Sequence, residues 1–239
     1  MKKNINLLIA LVSLFAFFSC INLYYVVPSG EYIKAERALG EFEKVSVSNG
    51  FELIITQNQT NSLVVETFEN IHEYIIIENI GNSLVIKRED GVGFTGKADV
   101  KIYLSCDNIS AISTSGGGKV NLSNGWSGES LKVTASGGGR IFGEVYLDKL
   151  SLDMSGGSRS ELSGAVNYIS ISSSGGASHK HFELEAQECK ASMSGGASAE
   201  LTVRENLIVS GSGGTTVRYK GDPEISTKLS GGSSVRKVD

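Results

Sequence analysis

Two segments decide the fold. They are Leu150-Ser151-Leu152-Asp153-Met154-Ser155-Gly156-Gly157 and, 19 residues on, Ile169-Ser170-Ile171-Ser172-Ser173-Ser174-Gly175-Gly176. Each alternates apolar and polar residues and then ends in Ser-Gly-Gly. A spacing of two places alternate side chains on one face, which is strand periodicity and not helical periodicity. The same ending occurs seven times: Ser115-Gly116-Gly117, Ser136-Gly137-Gly138, Ser155-Gly156-Gly157, Ser174-Gly175-Gly176, Ser194-Gly195-Gly196, Ser212-Gly213-Gly214 and Ser230-Gly231-Gly232. The intervals are 21, 19, 19, 20, 18 and 18 residues. The flanks repeat as well. Leu131, Leu150, Ile169, Cys189, Leu207 and Ile225 stand five residues before a corner serine.

A unit of this length has too few apolar groups to enclose a core by itself. Stacked on its neighbours it can. The sequence therefore predicts an all-β, right-handed, single-stranded parallel β-helix of about 19 residues per coil, with coils ~4.8 Å apart. Serine and glycine make up 49 of the residues from 105 to 239, a proportion that would read as linker were it not periodic. The Ser-Gly-Gly corners are read as structural. Glycine supplies positive φ, two in succession allow a sharp turn, and stacked corners leave room only for small side chains.

Outside the repeat, residues 40–105 show short alternating strands without Ser-Gly-Gly. They read as less regular coils or a β cap, with Asn49-Gly50 a hairpin-type turn. The N-terminus reads as an address. Lys2 and Lys3 precede the apolar run Leu7 to Phe18, and Phe17-Phe18-Ser19-Cys20 resembles a lipobox. Residues 1–19 are then a lipoprotein-type signal peptide, Cys20 the acylated residue, 20–39 a linker and 40–239 the β-helix, divided at 105/106. An uncleaved anchor from Ile5 to Val27 is the alternative, long enough to cross a bilayer.

With 22 basic and 26 acidic side chains the net charge is −4, which argues against a nucleic-acid partner. Gly91-Val92-Gly93-Phe94-Thr95-Gly96 has the letters of a dinucleotide fingerprint. The residues after it, Ala98 to Leu104, alternate as a strand, so no helix N-terminus meets a phosphate, and the stretch reads as a flexible turn. His179 and His181 share a strand face. Two imidazoles are too few for a zinc site, and an extra residue in that coil points to a bulge that leaves them solvated. Asp148, Asp153, Glu144 and Glu161 are scattered, and no serine stands beside a histidine base in a nucleophile elbow. Neither catalytic residues, nor a metal, nor a cofactor is expected. Trp126 is the only tryptophan. It lies in a polar, glycine-rich stretch and is the candidate ligand contact, against a ring folded over the coil edge. Cys189 occupies an apolar position of the repeat and should point inward, and Cys106 lies about four coil steps away, too far for a disulfide.

The pattern Phe42-x-x-Val45-x-Val47-x-x-Gly50-Phe51-x-Leu53-x-Ile55-x-Gln57, the Ser-Gly-Gly repeats, and the ending Tyr219-Lys220-Gly221-Asp222-Pro223 resemble the auto-transporter adhesin "head GIN" domain family. The resemblance covers about residues 40–238. It implies an all-β, β-helical fold in exported envelope proteins of Gram-negative bacteria, without catalytic residues to carry over. The function expected is a non-enzymatic, envelope-anchored solenoid, an outer-membrane lipoprotein, that presents a repetitive surface to a protein or glycan partner. A carbohydrate-binding or carbohydrate-degrading β-helix is the first alternative. A homo-oligomer that self-assembles through open solenoid ends is the second.

Overall fold

The computed structural model describes residues 24–239. Residues 1–19, Cys20 and most of the alternative anchor segment lie outside the described part. The chain is about 66% strand and 3% helix, wound as a parallel β-solenoid of about seven turns, about 19 residues apart. Among the described residues no helix is long and apolar enough to cross a membrane.

Strands β1 (Tyr24–Val26), β2 (Tyr32–Arg37), β3 (Lys44–Val47), β4 (Glu52–Gln57) and β5 (Ser62–Phe68) precede a short 3₁₀ turn, Glu69–Tyr74. Next come β6 (Ile75–Ile80), β7 (Ser83–Arg88), β8 (Val92–Phe94), β9 (Lys101–Cys106) and β10 (Ala111–Thr114). Long strands then run round most of a coil each: β11 (Lys119–Ala135), β12 (Arg140–Met154), β13 (Arg159–Ser173), β14 (Ser178–Met193) and β15 (Ser198–Gly211). The shorter β16 (Thr216–Lys220), β17 (Glu224–Leu229) and β18 (Ser234–Lys237) end the stack.

The repeat sets the register. Leu150 pairs with Ile169, Ile169 with Cys189, and Cys189 with Leu207, all in parallel ladders. Because the side-chain period is two, this keeps every apolar position on the inner face. Leu131, Leu150, Ile169, Cys189 and Leu207 are all at most 2% exposed. Each such side chain taken out of water contributes ~1.5–3 kcal/mol. Cutting Ile169 to alanine should therefore cost about 2–5 kcal/mol, since the coils above and below cannot close the gap. Cys189 behaves as an apolar member of this column. Cys106 and Cys189 are both free and buried. Burial pushes the Cys189 thiol up to about 12 and the Cys106 thiol up to about 11, which holds both in the unreactive protonated form.

The corners are of two kinds. At the first two, both glycines have positive φ, and the chain closes on itself: Gly118 N donates to Ser115 O at 2.9 Å and Gly139 N to Ser136 O at 2.9 Å. From Ser155 onward only the first glycine of each pair has positive φ, so the expectation of two in succession holds only at the start. From Ser174 the corner also bonds to the coil beneath it, Gly176 N to Gly156 O at 2.8 Å and Gly196 N to Gly175 O at 2.8 Å.

The N-terminal region differs from its reading in three places. Asn49 and Gly50 do turn at positive φ, 60° and 77°, but the strands they join are not hairpin partners. β3 pairs in parallel with β10 and β7, and β4 with β11 and β9. Ser48-Asn49-Gly50 is thus another solenoid corner, stacked under Gly116, where a Cβ would lie 3.4 Å from Asn49 N. Next, within the expected linker 20–39, the described residues 24–39 are not simply a linker. β2 pairs antiparallel with β5 from Tyr32–Phe68 to Arg37–Leu63, and β1 pairs with β8. Its alternation of exposed and half-buried residues, Tyr32 to Arg37, marks an edge strand. Finally, Gly91–Gly96 is not a free turn. Its middle is β8, flanked by Gly91 and Gly96 at positive φ, and Tyr25 packs so closely over Gly93 that a Cβ there would lie 2.7 Å from the ring. The antiparallel pairs β2–β5, β5–β9 and β6–β7 lie at this end of the stack.

Candidate functional site

The corner edge of the later coils carries a groove of about 760 Å³ that runs along the solenoid axis. Its origin lies in the repeat. Two residues before each corner serine the side chain points outward, and from β13 to β15 this row shrinks to Ser172, Ser192 and Ser210. These hydroxyls and the corner serines Ser155, Ser174, Ser194, Ser212 and Ser230 form two parallel rows at coil spacing, ~4.8 Å. Between them, at the base, lie Met154, Ser173, Met193 and Leu229. Asp153 stands at one end and Lys228 at the other. Asp153 is paired with Lys132 at 2.8 Å. The groove is therefore nearly uncharged, rich in hydroxyls that both donate and accept, and floored by flexible apolar side chains.

Trp126 is not part of an open surface. It is 1% exposed, in register with Val145 inside the coil. Its polar neighbours point outward while the ring fills the core, so the expected ligand contact is withdrawn. The histidines also lie elsewhere than expected. His179 and His181 are each 1% exposed, not solvated. The extra residues of that coil bulge after His181, between its pairing with Leu201 and that of Glu185 with Thr202, so both imidazoles stay in inward phase. Serines receive them: Ser173 Oγ lies 2.5 Å from His179 Nε2, Ser160 Oγ 2.9 Å from His179 Nδ1, and Ser160 Oγ 2.9 Å from His181 Nε2. Burial lowers the His179 pKa to about 4 and holds His181 well below its usual value, so both are neutral. Ser160 and His179 are the only polar residues five positions after a corner, a position held elsewhere by Val120, Ile141, Ala199, Val217 and Val235. That adjacency was the available signal for a buried network.

The Ser173–His179 separation is one that a nucleophile–base pair uses. The surroundings do not extend it. Ser173 is 6% exposed, and the next amide, Ser174 N, is committed to Met154 O at 3.0 Å and does not face a developing oxyanion. The pair satisfies polar groups inside the corner.

Of the four scattered carboxylates, Glu144 and Glu161 meet in a second concavity of about 540 Å³ with Glu183, Glu200, Lys180 and Phe182. Asp148 is elsewhere, accepting from Asn167 Nδ2 at 2.8 Å, and Asp153 belongs to the groove. Glu144 accepts from the Tyr146 hydroxyl at 2.6 Å, and Glu200 pairs with Arg218 at 2.9 Å. Among the described residues no three His, Cys, Asp or Glu side chains converge as metal ligands.

Solved structures share this architecture. The chain is similar to a solved structure from Bacteroides fragilis described as a "putative adhesin", with a TM-score of 0.84 and 22% identity over 89% of this chain and 100% of that one. A "putative adhesin" from Parabacteroides merdae matches with a TM-score of 0.74 and 18% identity over 90% of this chain and 99% of that one. A "putative lipid binding protein" from Parabacteroides distasonis matches with a TM-score of 0.69 and 19% identity over 90% of this chain and 100% of that one. At these identities the likeness shows the fold alone. No curated protein sequence matches the chain. Residues 41–223 match the family described as "Putative auto-transporter adhesin, head GIN domain", which brings with it the company of exported or surface proteins, and with the coil-by-coil agreement above, the chain belongs to that family.

Proposed function

We propose that the chain is a non-enzymatic adhesin of the cell envelope, held at a membrane by an acyl chain on Cys20, that grips an extended partner chain in its serine-lined groove. The groove carries this reading. A polymer laid along the axis meets a hydroxyl pair at every coil step, so recognition is by repetition and not by a single pocket. The family's adhesin description supports binding over catalysis. The burial of Trp126 removes the stacking platform on which a sugar-specific reading relied.

The test uses cells that display the full chain, adhering to surfaces coated with envelope from cells that lack this protein, so that only a partner for the groove is offered. Ser192→Trp with Ser210→Trp fills the groove from outward-pointing positions. Adhesion should fall to background at an unchanged melting temperature, and undiminished adhesion would overturn the assignment. A second reading has a specific observation behind it: Met154, Met193 and Leu229 along the groove base suit an acyl chain, and one similar structure is named for lipid binding. A fluorescent fatty acid that binds the wild-type protein and not the filled variant would favour it.

A further inference from the structure

The two ends of the solenoid are finished differently. At the N-terminal end the outermost strands, β2 and β6, are added antiparallel to their neighbours. At the other end β17 pairs only with β15, and β18 only with β16, so their outer edges carry unpaired backbone N–H and C=O groups. The apolar column also runs out into solvent there. Leu207 is fully buried, while Ile225, in register with it, is 45% exposed, and Leu229 is 39% exposed. A bare strand edge beside exposed apolar side chains is a template for another strand.

We propose that this end docks on the same end of a second copy, β17 against β17, about a two-fold axis. Such an axis, perpendicular to the solenoid, makes the meeting strands antiparallel. Inner faces must meet inner faces, which removes every second register. Among those left, the one centred on Ser226 sets Glu224 of each strand opposite Lys228 of the other, while Ile225 faces Thr227. Among the described residues, neither Glu224 nor Lys228 has an ion-pair partner within its own chain. Centring on Thr227 instead leaves Lys228 opposite Ser226 and Glu224 beyond the partner's strand. Opposite charges directly across a pair stabilise it, and like charges oppose it. The contact is isologous, so one pair of copies uses both of its β17 edges and closes as a dimer, and does not propagate through this end as a filament.

The docking rests on this end alone. Its consequence rests on the adhesin reading above. β1 follows Cys20 by four residues and lies at the N-terminal end, so chains anchored on facing surfaces present their open ends to each other. Beside the chain held in the groove, a second copy of the same protein on the opposing surface is then a partner.

Sedimentation of the full-length chain in detergent should show a concentration-dependent dimer. Ser226→Cys should cross-link to itself on mild oxidation, while Thr227→Cys should not. Glu224→Lys should weaken the dimer by about tenfold or more, and adding Lys228→Glu should restore it. A monomer at every concentration, or Thr227→Cys cross-linking in place of Ser226→Cys, overturns the proposal. The groove-filled variant should dimerise normally, so loss of groove adhesion and loss of the dimer are separate results.

Discussion

The Ser115 and Ser136 corners carry the same three letters as the Ser174 and Ser194 corners, yet they are held differently. The early corners are self-closed turns with a third glycine. A Cβ on Gly118 would meet Thr114 Oγ1 at 2.8 Å, and one on Gly139 would meet Thr114 O at 2.9 Å. In the later coils the equivalent residues carry side chains, Ala177 and Ala197, both fully buried, and the corner bonds to its neighbour below. A turn that supplies its own hydrogen bond tips the next residue into the adjacent backbone. A turn that borrows its hydrogen bond from the stack leaves that residue free to pack inward. Identical motifs therefore answer to different partners, and substitutions can separate them.

The largest effect should come from a glycine at neither kind of corner. Gly164 has φ of 105°, and a Cβ there would sit 2.2 Å from Val145 O. Backbone must move, so Gly164→Ala should cost more than about 3 kcal/mol and leave little folded protein by circular dichroism. A cooperative melt near the wild-type temperature would refute this.

Acid should act next, through the later coils, where His179 and His181 lie. With its folded pKa lowered from 6.5 to about 4 by burial, His179 binds its proton preferentially when unfolded. Stability is then full above pH 6.5, declines as the pH falls, and levels off below about 4, a loss of about 3 kcal/mol. His181 adds in the same direction. Urea midpoints across this range should fall with acid, and His179→Ala with His181→Ala should flatten the profile.

Within one later corner the two glycines should differ. Gly195 has φ of 72°, and a Cβ added to it would lie 2.9 Å from Gly175 O, whereas a Cβ on Gly196 would be 3.7 Å from that same oxygen. Gly195→Ala should cost about 1–3 kcal/mol and Gly196→Ala less than about 1 kcal/mol in thermal melts. Equal losses would mean that the later corners are self-closed like the early ones. At the small end, a fluorophosphonate probe should leave Ser173 unlabelled in the folded protein, and labelling there would reopen acyl-transfer chemistry.

The coil was legible in the sequence because Ser-Gly-Gly falls at the one azimuth where a small, positive-φ turn recurs. Gly143, Gly164 and Gly221 were not. They sit against carbonyls of the neighbouring coil at 2.3, 2.2 and 2.0 Å from a Cβ, at bends without a common letter pattern. Ser48-Asn49-Gly50 escaped as a corner because Asn-Gly between alternating runs also signals a hairpin, and local turn chemistry does not reveal which strands pair. The groove was invisible because a row of serines reads as ordinary outward polarity until neighbouring coils are stacked. Trp126 misled through its neighbours: polar residues on either side describe the outer face, and on a strand the residue between them faces the other way.

The early coil of β3 and β4 lies between β7/β9 on one side and β10/β11 on the other. A polypeptide emerging N-terminus first, from a ribosome or a secretion pore, makes this layer early but cannot sandwich it until Ser123 has appeared. Long-range closure of this kind is slow, because loop entropy is lost before contacts reward it. Every later coil needs only the one just before it. Assembly should thus pause over the first half of the chain and then proceed like a zip, one turn per ~19 residues delivered, and a nascent chain stalled before residue 110 would display its unpaired layer to chaperones and proteases.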